Sequence, residues 1–400
     1  MAAGAPVRGW KAEEVVTELE DIADGEPLTT HLLDDADYLE TGTFIIFNND
    51  GSVIFIQSIV SSVGMYTHQP GVNLKICPGP ALAKARGSES PLQWSAKFAR
   101  KDIRLDDSRR SMAIGKHVFK YVPAADDGST RAEYKVALPA SGGNAIGDLR
   151  ATFTADSPSF MISDGKVVFG VEPEADLDSP DATSAPYCRN VFPMARAQVS
   201  GELVLADGST LVLSGRGFVS RLLQNVKAHK IANTWSLAKF DSDHASLAYV
   251  SFLTPPSYGS QWISFGALIV DSELVAVTTD NSCATSNEVK DDTGYVVPHG
   301  TALNLSGKAL AGQSLAVPGS DVFASMVWEH SSWIDKFDIL SAIPWILRMI
   351  VKTFIAAPWS YRFYDPATLM VSVTGADEAS ATREFEGMVL REFIFLNPPK

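Results

Sequence analysis

Short apolar runs, alternating or nearly alternating with polar residues, recur along most of the chain, and turn signals bound them. The clearest is "TGTFIIFNNDGSVIFIQSIVSS" (41–62), where two apolar arms flank Asn49-Asp50-Gly51, a strong hairpin signal. Asp164-Gly165 repeats the device between "SFMIS" and "KVVFGV", and Asp207-Gly208 repeats it between "GELVLA" and "STLVLSGRG". Asp127-Gly128 does the same between "KHVFKYV" and "AEYKVAL". Hairpins at such spacing predict an antiparallel sandwich or barrel rather than βαβ units.

Two segments break the rhythm. "EPEADLDSPDATSAP" (172–186) is acidic, rich in proline and serine and without aromatics, which predicts a surface loop or linker and a domain boundary near 172–200. In "WIDKFDILSAIPWILRMIVKTFIAAPWS" (333–360), Trp333, Phe337, Leu340, Pro344, Leu347, Val351 and Phe354 share one face at helical spacing. That predicts an amphipathic helix, or a proline-broken pair, over 333–357. Its uncharged run, 339–347, is far shorter than the roughly 20 residues of a membrane span. The expectation is a helix closing a barrel end, with interfacial membrane contact as the less favoured reading.

A third irregularity is "FLTPPSYGS" (252–260). Neither Pro255 nor Pro256 can donate a ladder hydrogen bond, so the strand must end there. The stretch reads either as a rigid corner or as a rim that aims Tyr258 into a cavity.

The 400-residue length favours two domains. A net charge of −14 and the lack of a Lys/Arg block argue against nucleic acid and anionic membranes as partners. Cys77, Cys188 and Cys283 are scattered and odd in number, which fits a reducing compartment. With no secretory h-region at the start, a cytoplasmic location is expected. No glycine-rich phosphate loop, nucleophile elbow or histidine pair with ligand spacing is apparent, so neither a nucleotide cofactor nor a metal is expected.

The most concentrated polar stretch is "SGRGFVSRLLQNVKAHKIANTWSLAKF" (214–240), in which Gln224, Asn225, Lys227, His229 and Lys230 precede Trp235. Such a set can orient a ligand in a mostly apolar pocket, or it can be a solvated loop. His229 has the ordinary chemistry of a general acid or base. Gln57 interrupts "VIFIQSIV" and either faces solvent or hydrogen-bonds inside a barrel.

These residues carry a resemblance. "LETGTFIIFNNDGSVIFIQSIVSSVG" (39–64), the "GRG…LLQNVKAHKIANTWSL" stretch, "FLTPPSYGS" and "SYRFYDPATLMVSV" (360–373) resemble the fungal oxidative-stress survival-factor family, from about residue 27 to 396. The resemblance implies an all-β fold of two lipocalin-like antiparallel β-barrels. The expected division is an extension over 1–26, one barrel over 27–195 and a second over 196–400 that includes the helical segment 333–357. Survival factors are implicated in ceramide movement, while more distantly similar two-barrel proteins are cofactor-free Diels-Alderases and carotenoid hydratases. Gly215, Gly217, Gln224, Lys227, His229, Trp235 and the 255–259 motif keep the family pattern, whereas Ala228, Lys230 and Thr234 depart from it. On that basis the leading expectation is a cofactor-independent cyclase or isomerase, Diels-Alderase-like, acting in fungal secondary metabolism. Its ligand would be a hydrophobic small molecule: a polyketide, a terpenoid or a lipid. Tyr258, His229 and Lys230 are the expected catalytic groups, with Gln57, Gln224, Asn225, Trp235 and Tyr66 contacting substrate. The alternative is a non-catalytic, ceramide-like lipid carrier in stress survival.

Overall fold

The computed structural model describes residues 4–11, 14–17, 19, 28–32, 38–63, 66–125, 129–173, 184–310, 315–331, 333–339, 358–374 and 380–397. It is a mostly β protein with a half-barrel and a nearly closed barrel. The chain divides into two compact units: one takes 16–165 and 187–227, the other 1–15, 166–186 and 228–400. The expected border at 195/196 falls inside the continuous strand Tyr187–Leu205.

The unit formed by 16–165 and 187–227 is built on an antiparallel sheet. Its spatial order runs Leu92–Lys97, Tyr66–Cys77, Val53–Val63, Leu39–Asn48, Thr210–Gln224, Tyr187–Leu205, Gly147–Ala155, Glu133–Leu138, His117–Val122, Met112–Ile114, Ile103–Leu105. The two edge strands are consecutive in the chain, joined through the short turn Arg100–Asp102. The Asn49-Asp50-Gly51 hairpin forms as its sequence requires: Gly51 takes φ +84°, and Asp50 Oδ1 accepts from Ser52 N–H at 2.9 Å. Asp207-Gly208 likewise joins paired strands, with Gly208 at φ +85°. The strands either side of 127–128 also pair, Tyr121 facing Tyr134, although the turn residues lie outside the described set.

Asp164-Gly165 behaves differently. Gly165 N–H closes a turn onto Ile162 O at 2.8 Å, but the flanking strands do not pair with each other. Phe160 faces Phe192, and Phe169 faces Val7. Turn chemistry acts over a few residues and does not decide whether the arms that leave it stay together.

The second unit carries the sheet Glu273–Thr278, Trp262–Val270, Ala245–Leu253, Thr234–Asp241, Ser380–Phe395, Trp359–Thr374, Asp321–Glu329, Gly300–Lys308, Asp280–Ser286. Its two ends meet through backbone. Leu310 N–H donates to Val275 O at 2.9 Å, and the Thr278 hydroxyl donates to Ser306 O. A continuous apolar core fills one end of this barrel, with Phe240, Leu247, Leu268, Val275, Leu369 and Val389 at 1% exposure or less. A smaller aromatic cluster of Tyr295, Tyr361, Phe363 and Phe393 lies toward the other end.

The helical expectation over 333–357 is corrected at its start. Trp333–Asp338 is a strand, paired antiparallel with Trp359–Phe363. Six residues alternate on a strand as readily as they trace a helical face, and pairing with a long neighbour decides the outcome. Residues 340–357 lie outside the described set. Among the described residues, no helix is long and apolar enough to cross a membrane.

Candidate functional site

The proline corner is held by its own polar groups. Thr254 N–H donates to Gln261 O at 3.0 Å, Gln261 N–H donates to Thr254 Oγ1 at 2.9 Å, and Thr254 Oγ1 donates to Tyr258 O at 3.1 Å. A one-turn 3-10 helix, Pro256–Tyr258, ends at Gly259 with φ +82°. The Tyr258 ring packs on Phe169, 5.2 Å between centroids. Phe169 meets Phe252, and Phe252 meets Trp235 at 4.7 Å. The structure therefore joins two expected site residues, Trp235 and Tyr258, through one chain of rings.

The other nominated residues are placed separately. His229 and Lys230 sit on the short helix Ala228–Ile231, His229 half-buried and Lys230 exposed; Asn397 Nδ2 donates to the His229 carbonyl at 3.4 Å. Gln224 is buried and donates to Val226 O at 2.8 Å, while Asn225 Oδ1 accepts from Tyr187 N–H at 2.8 Å. These two amides brace their own chain. Gln57 donates to Thr43 Oγ1 at 3.2 Å and alternates with the core residues Ile54 and Ile56, so it lies on the outer face of the sheet. The Tyr66 side chain lies outside the described set.

Sequence reasoning missed the polar interiors of both units. In the unit formed by 16–165 and 187–227, Arg221 Nη2 meets Glu40 Oε1 at 2.7 Å, with Glu40 buried and Arg221 mostly so. Thr30 Oγ1 accepts from the same nitrogen at 3.0 Å, the Arg221 guanidinium also donates to Leu28 O, and the Tyr38 hydroxyl donates to Glu40. Burial and the Glu40 charge push the Tyr38 pKa well above its ordinary value. The adjoining cavity, lined by Phe44, Val60, Tyr134 and Val219 among others, is about 30 Å³. That is room for about two water molecules, far below what an acyl chain needs.

The interior of the second unit differs. Three successive rows cross its sheet in register. Asp365, Val389, Phe240, Leu247 and Leu268 form the deepest. Phe363, Arg391, Ala238, Tyr249 and Gly266 form the middle one, and Tyr361, Phe393, Ser236, Ser251 and Ser264 the next. Arg391, 1% exposed, thus lies between the apolar core and the aromatic cluster. Its guanidinium stacks over Phe393 at 4.3 Å, and Nη2 donates to Cys283 Sγ at 3.5 Å. Nε and Nη1 have no acceptor.

Other buried polar atoms in these strands are unsatisfied too: Ser236 Oγ, Asn281 Oδ1 and Trp328 Nε1. The Tyr249 hydroxyl bonds to Ser251 and Ser264, and burial raises its pKa. Burial, with the charge of Arg391, pushes His330 down to about 3, so that imidazole is neutral; Thr301 Oγ1 lies 2.8 Å from its Nε2. Arg391 therefore has no carboxylate within ion-pair distance among the described residues, the buried Asp365 carboxylate lying one row deeper.

Access follows from how the barrel closes. Strand 262–270 pairs with 273–278 only as far as Gly266–Thr278. Beyond that point the chain turns away and pairs as Asp280–Ser286 with Gly300–Ser306. Residues 262–265 and 280–286 consequently form no ladder with each other. A side-chain contact bridges the gap, Asn281 Nδ2 donating to Ser264 Oγ at 3.4 Å. Ser264, Asn281 and Cys283 are half-exposed, so solvent reaches the gap beside the polar layer.

Two barrels of this kind define a lipocalin-like protein. The fold matches the crystal structure of CghA with Sch210972, with a TM-score of 0.54, 12% identity, and coverage of 97% of this chain and 99% of that one. The chain belongs to the Svf1 family, which it matches over residues 11–397. It is similar to the ceramide-binding protein svf1 of Emericella nidulans, 24% identical, over 90% of this chain and 86% of that protein. The ceramide-binding protein svf1 of Aspergillus fumigatus is 23% identical, over 78% of this chain and 71% of that protein. These relatives overturn the expected cyclase or isomerase: the proteins this chain matches along most of its length are named for binding a lipid. The departures at Ala228 and Lys230, on the short helix Ala228–Ile231, and at Thr234, which opens the strand Thr234–Asp241, do not by themselves establish catalysis.

Proposed function

We propose that this protein is a non-catalytic binder of a long-chain, ceramide-like lipid. The observation that carries the reading is the match, along 90% of the chain, to a protein named for ceramide binding. A carrier needs apolar surface with a few polar anchors and no directed acid or base. Trp235 and Tyr258, at the two ends of the aromatic chain, serve in this reading as apolar surface rather than as catalytic groups, and lipid is favoured over a polyketide or terpenoid ligand.

Lipid extraction from protein purified from a fungal host, with mass spectrometry of the extract, tests it. A ceramide-class sphingolipid near stoichiometric amount is the expected result, together with saturable binding of a fluorescent ceramide by the delipidated protein. Absence of both overturns the reading.

A further inference from the structure

We propose that the interior of the second unit is a binding site for the head of a long-chain carboxylate, with Arg391 as its counter-ion. The argument begins with cost. A buried cation without a counter-charge is strongly unfavourable, and three other largely buried arginines meet a carboxylate, although Arg8, 7% exposed with Nε and Nη1 lacking acceptors, meets none among the described residues. Arg196 Nε meets Asp156 at 2.9 Å, Arg221 meets Glu40 at 2.7 Å, and Arg362 meets Glu392 at 2.8 Å. Among the described residues, Arg391 meets only a thiol and a ring face.

The open valences around it describe the missing group. Arg391 and Trp328 present N–H donors without acceptors, Ser236 an uncommitted hydroxyl and Asn281 an acceptor oxygen without a donor, so most of the open valences call for acceptor oxygens on the ligand. His330 is neutral and the Asp365 carboxylate lies one row deeper, so Arg391 is the cation that a carboxylate head would meet. A guanidinium fork suits a carboxylate in shape as well as in charge. Tyr361, Phe363 and Phe393 supply an apolar wall beside the head, and the half-exposed Ser264, Asn281 and Cys283 mark the side from which a ligand would enter. This ligand is distinct from a neutral ceramide, which carries no charge to compensate Arg391.

The test measures binding of palmitate, its methyl ester and hexadecanol to the delipidated full chain, for the wild type, Arg391→Met and Arg391→Lys. The wild type should bind the acid at least tenfold more tightly than the ester or the alcohol. Arg391→Met should lose at least tenfold in acid affinity, in line with a charge-assisted hydrogen bond, and Arg391→Lys should retain part of it. Without ligand, Arg391→Met should melt at or above the wild-type temperature, because it removes an uncompensated charge. Equal affinity for acid and ester, or unchanged acid binding by Arg391→Met, overturns the proposal. So does a ligand-free Arg391→Met that melts well below the wild type, since Arg391 would then be structural. Fluorescent-ceramide binding, read in parallel, separates the two ideas: it can persist while acid selectivity fails, or fail while acid selectivity persists.

Discussion

The Cys283 thiol, 3.5 Å from Arg391 Nη2, is the one hydrogen-bond acceptor that this guanidinium meets among the described residues. Sulfur is a weak acceptor, so the contact orients the arginine without neutralising it. Across the sheet Ala238 faces Arg391 and Gly266 faces Tyr249, and these small side chains leave the middle row to the polar groups.

The ion pairs of the other unit give a contrast. Asp156 is 5% exposed and is approached by Arg131, Arg196 and Arg216. Asp156→Asn removes the negative charge from a nearly isosteric side chain and leaves Arg196 buried beside a neutral amide. A loss of about 3–5 kcal/mol is expected, read as a lower urea midpoint at unchanged slope. A loss below about 1 kcal/mol would mean that the cluster is solvated.

Stability should depend on pH through His330. Its pKa is depressed to about 3 in the folded chain, against about 6.5 unfolded. The unfolded state therefore binds the proton first as pH falls. The imidazole's contribution is intact above pH 6.5 and declines toward pH 3, by about 1.4 kcal/mol per pH unit between the two. The slope of urea-derived stability against pH should flatten in His330→Gln. A wild-type slope that the substitution leaves unchanged would assign the dependence to other groups.

Gly266 is a steric requirement. A Cβ there would lie 2.0 Å from Leu305 Cδ2 and 3.0 Å from Asn281 Oδ1. Gly266→Ala should cost about 1–3 kcal/mol through overpacking. Gly208→Ala, at a turn with φ +85° and nothing within 4 Å of its Cβ, should cost about 1 kcal/mol, from backbone strain alone. Thermal melts of the two variants rank the effects.

Tyr258→Phe keeps the ring on Phe169 and removes only the hydroxyl. In a carrier, this change and His229→Ala should each alter ceramide affinity by less than about threefold, since neither deletes substantial apolar surface. A tenfold loss in either variant would give that polar group a direct role in holding the ligand.

Much of the fold was legible because its signals are local. Asn49-Asp50-Gly51 and Asp207-Gly208 announce hairpins, and Pro255-Pro256 announces a strand end. The pairing of Trp333–Asp338 with Trp359–Phe363 was not legible, since a partner more than twenty residues away decided it. The polar interior was hidden for a different reason. In "MVLREFIFL" (388–396), Arg391 and Glu392 are adjacent charges, and one step of register decides which faces inward. Arg391 alternates with Val389 and Phe393 and goes in, while Glu392 pairs with Arg362 on the other face. In the conspicuous polar stretch at 224–235, by contrast, Gln224 and Asn225 serve the backbone.

The splayed closure of the second barrel has a bearing on self-association. Where 280–286 leaves 262–265, an edge strand is exposed, and such edges invite a second copy to add a strand. This edge reads Asp-Asn-Ser-Cys-Ala-Thr-Ser, with an acidic residue at its start and no large apolar side chain. The composition that keeps this gap polar is also poor material for a cross-β template, so the edge offers little to a second copy adding a strand.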